Sequence, residues 1–138
     1  MKRAALLVSS SLVAGIALGV IGTGVLTAQQ EPAKRTVLLK SDLVGIEGKE
    51  ASLNLTEYAP GASSGKHYHP SHTFLYVLEG SGIWELEGQP PVTRKQGGVF
   101  YEQPKLVHDI KNASTTAPLK LLACVIGEKG QPRTVPVK

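Results

Sequence analysis

A single cysteine, Cys124, stands in the chain, and with no second thiol no internal disulfide can form. It sits in the apolar run Leu121-Leu122-Ala123-Cys124-Val125-Ile126, where a small buried core residue is expected and a reactive thiol is not. Long charged helical stretches are missing too, as are internal repeats and low-complexity blocks. After residue 35 no segment carries the apolar period of a helix. The basic residues are scattered, without an aromatic-interleaved basic run, which argues against a nucleic-acid partner. The formal net charge is only +4, and Lys2 and Arg3 supply half of it. Beyond residue 28, 13 basic residues face 11 acidic ones, a net of about +2.

Hydrophobic residues make up 41% of the 138, enough to build a core and too much for a disordered chain. Fifteen glycines and nine prolines tilt the balance toward short strands joined by turns. The stretch Ala4 to Ala28 carries no charge and follows Lys2 and Arg3. A basic flank before such a stretch is what a secretory signal presents to the export machinery. Its 25 residues are also enough to cross a bilayer as a helix. Residues 1–28 are therefore read as a signal peptide, cut near Leu26-Thr27-Ala28, or as a membrane anchor. The basic end stays in the cytoplasm, which leaves the remainder periplasmic or secreted, or tethered outside the inner membrane through residues 4–28. Residues 29–35, polar and containing Pro32, read as a linker. One domain is expected over 36–128, and an irregular tail over 129–138, where Gly130, Pro132 and Pro136 fall. An exported domain without disulfides must be held by its core, by barrel closure or by a metal.

The body reads as strands. Thr36 to Lys40 is the first, and Ala51, Leu53 and Leu55 then alternate with Ser52, Asn54 and Thr56 as in a half-buried strand. Phe74 to Leu78 is apolar throughout, which predicts a strand covered on both faces. Glu79-Gly80-Ser81-Gly82 turns it into the alternating run Ile83 to Glu87. Val99 to Tyr101, Val107 to Ile110 and Leu119 to Ile126 complete the set. Regular short strands with Gly/Pro turns predict an all-β sandwich or barrel, and closure removes exposed edges.

All four histidines lie in the second half of this pattern, three of them in His67-Tyr68-His69-Pro70-Ser71-His72. Residues two apart on a strand point to one side, so His67 and His69 present both rings to one face, about 7 Å apart along the backbone. One metal can accept both, and imidazole suits Fe, Zn, Cu or Ni better than Mg or Ca. By the same parity Tyr68 and Asp109 point away from their histidine neighbours. Gly61 precedes His67, and a second block holds Gly98, Pro104, His108 and Asn112. These blocks resemble the paired motifs of the cupin superfamily, Gly-x5-His-x-His-x3,4-Glu-x6-Gly and Gly-x5-Pro-x-Gly-x2-His-x3-Asn. Gly61, His67, His69 and Gly80 match the first; Gly98-x5-Pro104 and His108-x3-Asn112 match the second.

The resemblance spans about Thr36 to Glu128. It implies a single jelly-roll-like β-barrel of about eight to nine antiparallel strands, here preceded by an N-terminal hydrophobic helix. It further implies one divalent transition metal (Fe, Mn, Zn, Cu or Ni) on His67, His69 and His108, a small-molecule ligand or substrate, and pairing of two copies. Two departures bear on the site. The family's metal-binding Glu falls at Thr73 or Phe74, so a cluster of neutral imidazoles is expected to leave the ion its full charge, with His72 as a candidate fourth ligand. The second motif is one residue short between Pro104 and His108, which puts the direction of His108 in question. Glu102 is either a partner or general base beside the imidazoles or a solvent-exposed rim residue. Tyr58, Tyr68, Tyr76, Tyr101 and Trp84 are candidates for a pocket wall or for core packing. The expected function is an exported metal-binding cupin that binds or transforms a small organic molecule, as a dioxygenase or isomerase if it is an enzyme. The alternative is a non-catalytic small-molecule or metal-binding barrel.

Overall fold

Alternating side chains punctuated by glycine and proline turns give ten strands in the computed structural model, which describes residues 33–138. The N-terminal helix expected in residues 1–28 lies outside the described residues. The strands are β1 (Ala33–Asp42), β2 (Lys49–Tyr58), β3 (His67–Tyr68), β4 (His72–Glu79), β5 (Ser81–Leu86), β6 (Val92–Lys95), β7 (Val99–Glu102), β8 (His108–Asn112), β9 (Leu119–Glu128) and β10 (Val135–Pro136). There is no helix among the described residues. Two antiparallel sheets form, ordered β1-β2-β9-β4-β7 and β10-β3-β8-β5-β6. The strand count exceeds eight to nine because β3 and β10 are two-residue strands paired only with distant parts of the chain. β1 begins at Ala33, inside the stretch read as linker, and β10 comes from the tail.

β4, β5 and β9 each bury one face between the two sheets. Leu75 and Val77 of β4 and Leu119, Leu121, Ala123 and Val125 of β9 meet Trp84, Leu86 and Ile110 of the second sheet. Each large apolar side chain so enclosed contributes about 1.5–3 kcal/mol. Gly80 makes the β4–β5 turn at φ +82°, and a Cβ there would stand 2.6 Å from the Pro118 carbonyl oxygen. Only glycine satisfies both the left-handed backbone and the close approach.

Strand parity overturns three expectations. Phe74 and Tyr76 are exposed rather than covered, since only Leu75 and Val77 face inward from β4. Cys124 lies on the outward face of β9 and lines a shallow apolar groove with Leu53, Phe74 and Tyr101, so it is not a core residue. In β2 the buried residues are Asn54, Thr56 and Tyr58, while Leu53 and Leu55 face outward. The interior against β2 is thus partly polar, which is where a cavity opens.

A candidate metal centre

β3 and β8 pair with His67 directly opposite His108, and His69 follows two residues after His67. All three rings turn into the interior and are buried. Their centroids stand 4.4–5.1 Å apart, and one ring nitrogen from each lies within 4.8 Å of the others. Three nitrogens each about 2.1 Å from one ion stand roughly 3.0–3.6 Å from one another, so closure of about an ångström lets the three share an ion. The shortened second motif still delivers His108. Lys105 takes φ 65° in the tightened turn, and its N–H donates to the His69 carbonyl at 2.8 Å.

The outward nitrogens are all committed. His67 Nδ1 donates to the Gly65 carbonyl at 2.7 Å, His69 Nδ1 to the Arg133 carbonyl at 2.8 Å, and His108 Nδ1 to the Leu106 carbonyl at 2.8 Å. A carbonyl only accepts, so each Nδ1 carries a hydrogen, and a ring in its neutral form presents a bare Nε2. This is the orientation that backbone partners impose on metal-ligating histidines. Burial, only partly offset by the Gly65 carbonyl, holds the His67 imidazole below its usual pKa and keeps it neutral.

Glu102 faces the bare nitrogens. It is 1% exposed, with Oε2 3.3 Å from His69 Nε2 and Oε1 3.3 Å from His108 Nε2. Trp84 Nε1 donates to Oε1 at 3.0 Å. Burial alone would raise the Glu102 pKa, but contact with His69 and His108 and the Trp84 bond outweigh it, and the net direction is down. With the rings neutral, lone pairs of nitrogen and oxygen confront each other, and Glu102 Oε2 and His108 Nε2 have no hydrogen-bond partner among the described residues. A proton on the rings or a cation among them relieves that conflict, and three nitrogens with one carboxylate suit a divalent transition metal.

The carboxylate missing from the first motif has therefore moved one strand over. Thr73 occupies the motif position, is 1% exposed, and pairs in register with Glu102 across β4 and β7. The expectation of a carboxylate-free cluster gives way, and so does the rim position for Glu102. His72 lies on the opposite face of β4 from Thr73, exposed, with Nδ1 2.6 Å from the Tyr101 hydroxyl, and takes no part in the cluster. Parity is the reason: neighbours on a strand cannot share a face. Asp109 likewise points away from His108 and accepts from Ser63 Oγ and Ser64 Oγ at 2.7–2.9 Å, pinning the loop before β3. Asn112 ties the Tyr58–Ala59 and Ala117 carbonyls at 2.8–3.4 Å.

A cavity of about 230 Å³ opens beside the cluster, with His67, His69, Glu102, Thr73 and Tyr58 in its walls. Burial, then Glu102, raises the Tyr58 pKa, so its hydroxyl stays protonated. Two basic residues also reach it, Arg35 of β1 and Arg133 of the tail. Neither was legible in the sequence as a site residue. Arg35 sits in a polar segment, and Arg133 reaches the site only through the pairing of β10 with β3.

An antiparallel two-sheet jelly roll with three imidazoles gathered in its interior defines the class as a small-barrel fold with a histidine cluster that could hold a metal ion. Residues 54–125 match the Cupin domain family, and the chain belongs to that family. No curated protein matches the chain. Among solved structures, an uncharacterized conserved protein with a double-stranded β-helix domain from Klebsiella pneumoniae is similar at TM-score 0.62 and 17% identity, over 79% of this chain and 88% of that one. DMSP lyase DddQ from Ruegeria pomeroyi is similar at TM-score 0.64 and 17% identity, over 84% of this chain and 57% of that one. A recombinant oxalate oxidase in complex with glycolate is similar at TM-score 0.58 and 20% identity, over 79% and 57%. The chain spans little more than half the length of that lyase and that oxidase. These likenesses concern the fold.

Proposed function

We propose that this chain is an exported cupin that holds one divalent transition metal on His67, His69 and His108, with Glu102 as a fourth donor, and binds or transforms a small organic molecule in the adjoining cavity. The observation that carries this reading is the bonding of all three Nδ1–H groups to backbone carbonyls, which leaves three bare Nε2 atoms beside an unsatisfied carboxylate. When bound, the ion supplies a Lewis acid and open coordination positions for substrate. The chain's own residues do the rest. Backbone carbonyls fix the ring orientations, Glu102 lowers the local positive charge, and Tyr58 offers a hydroxyl that stays protonated. Oxygenase or isomerase chemistry is the enzymatic form of the proposal, supported by the nitrogen-rich donor set and by an oxidase and a lyase among proteins of similar fold.

The test is elemental analysis of the full-length chain, purified without a His-tag, beside His67→Ala/His69→Ala. About one equivalent of transition metal, lost in the double variant, is expected. Near-zero metal in both after reconstitution sinks the metal reading and leaves the non-catalytic binding barrel. Iron directs the assay to O2 uptake, zinc to isomerisation. Pairing of two copies belongs to the same proposal, supported by the exposed apolar face of Phe74, Tyr76, Val99 and Tyr101. Sedimentation velocity should give a dimer that Tyr76→Glu splits; a monomer at all concentrations removes this part.

A further inference from the structure

The side chains of Arg133 and Arg35 are unused by the metal site, yet both residues line its cavity and also a second, polar cleft beside it, so they stand where the two meet. The Arg133 carbonyl holds His69 in place, while its side chain enters the cavity. Its Nε is enclosed and has no hydrogen-bond partner among the described residues. None of the ion pairs among the described residues includes either arginine. Burial, with Arg35 close by, pushes the Arg133 pKa down to about 10, which leaves the group charged at neutral pH. Glu102 is near, but its Oε1 accepts from Trp84 and its two oxygens are turned toward His108 and His69. A half-buried, unpaired guanidinium beside a second one is costly unless an anion completes it.

We propose that Arg133, assisted by Arg35, is an anion-recognition subsite that takes the carboxylate of a small organic acid. The proposal rests on the reading of this cavity as the ligand site. A planar guanidinium fork matches a planar carboxylate with two parallel bonds. The cavity is small, and Leu75, Ile110, Leu121 and Ala123 make part of its wall apolar, which suits a short hydrocarbon body behind the charged head.

The experiment is isothermal titration of the full-length protein, chelator-treated and zinc-loaded, with propionate, its neutral isostere propionamide, and inorganic phosphate. The variants are Arg133→Gln, Arg133→Lys and Arg35→Gln, with Arg94→Gln as control, because Arg94 lies over the Phe100 ring and outside the cavity. Propionate is expected to bind at least about 10-fold more tightly than propionamide, with Arg133→Gln weakening it about 10- to 100-fold and Arg94→Gln leaving it unchanged. Arg133→Lys keeps the charge but not the fork and should fall between; with Arg35→Gln it decides the matter if Arg133→Gln does not fold. Equal binding of propionate and propionamide, or no effect of the cavity arginines, overturns the proposal. Phosphate binding more tightly than propionate overturns the carboxylate assignment. Arginine-dependent propionate binding by a protein that takes up no zinc leaves this subsite standing and removes the metal reading. Zinc uptake with arginine-independent propionate binding does the reverse.

Discussion

A carboxylate sealed from water, as Glu102 is, must be matched by donors or by a cation. Trp84 provides one donor, and the two neighbouring imidazoles provide none while they are neutral. If Glu102 answers a metal, Glu102→Gln keeps the shape and the Trp84 bond but removes the charge. Zinc affinity, measured by competition with a chromophoric chelator, should then fall about 10- to 100-fold. Because Thr73 faces Glu102 in register, the exchange Thr73→Glu/Glu102→Thr should recover much of that loss by returning the carboxylate to the motif position. Recovery distinguishes a charge placed for the ion from one placed for Trp84, since the exchange also abandons the indole bond. No change on Glu102→Gln would remove Glu102 from the donor set. The sequence put Glu102 close to the second motif and left its direction open. That direction depends on which residue of β4 stands opposite, a long-range register that no local pattern encodes.

At the scale of elements, period-two alternation located the strands without telling which side faced in. β2 shows why. Its apolar residues Leu53 and Leu55 look outward and its polar Asn54 and Thr56 inward, because the interior there is a partly polar cavity rather than an oily core. A hydrophobicity rule fails where the inside of a barrel has work for polar groups. His67 and His69 were legible because their spacing and parity are local, and His108 through the resemblance of its block to the second cupin motif; the tail was not, because β10 exists only through its pairing with Tyr68 and His67. The β4–β5 turn is the element most open to a direct trial. Gly80→Ala must place a methyl 2.6 Å from the Pro118 carbonyl oxygen at φ +82°, so either β5 or the start of β9 has to shift. A loss of at least about 2 kcal/mol is expected in urea denaturation. Gly61→Ala, at φ +69° but with open space around the added carbon, should lose less. Equal losses at both positions would mean that backbone strain, and not the contact with Pro118, sets the requirement at Gly80.

For the whole molecule, a metal taken up by His67, His69 and His108 would couple loading to folding. The sheets are closed over a core of ten buried apolar residues, so the apoprotein has a basis for stability without the ion. A bound ion would add to it through mass action, since only the folded state brings β3 and β8 together and so assembles the three nitrogens. At a free zinc concentration 100 times the dissociation constant the gain is about 2.7 kcal/mol, which raises the melting temperature of a domain of this size by roughly 10–20 °C. Chelation should reverse the rise in full. His67→Ala/His108→Ala should melt at one temperature with or without zinc, although its own stability will differ from that of the parent. Differential scanning fluorimetry across a zinc series reads both at once, and the shift should grow with the logarithm of zinc once the site is saturated. A rise of similar size in the double variant would place the zinc elsewhere on the protein; no rise in the parent would mean that the interior conflict at Glu102 is resolved by protons, and the folded barrel would owe nothing to a metal.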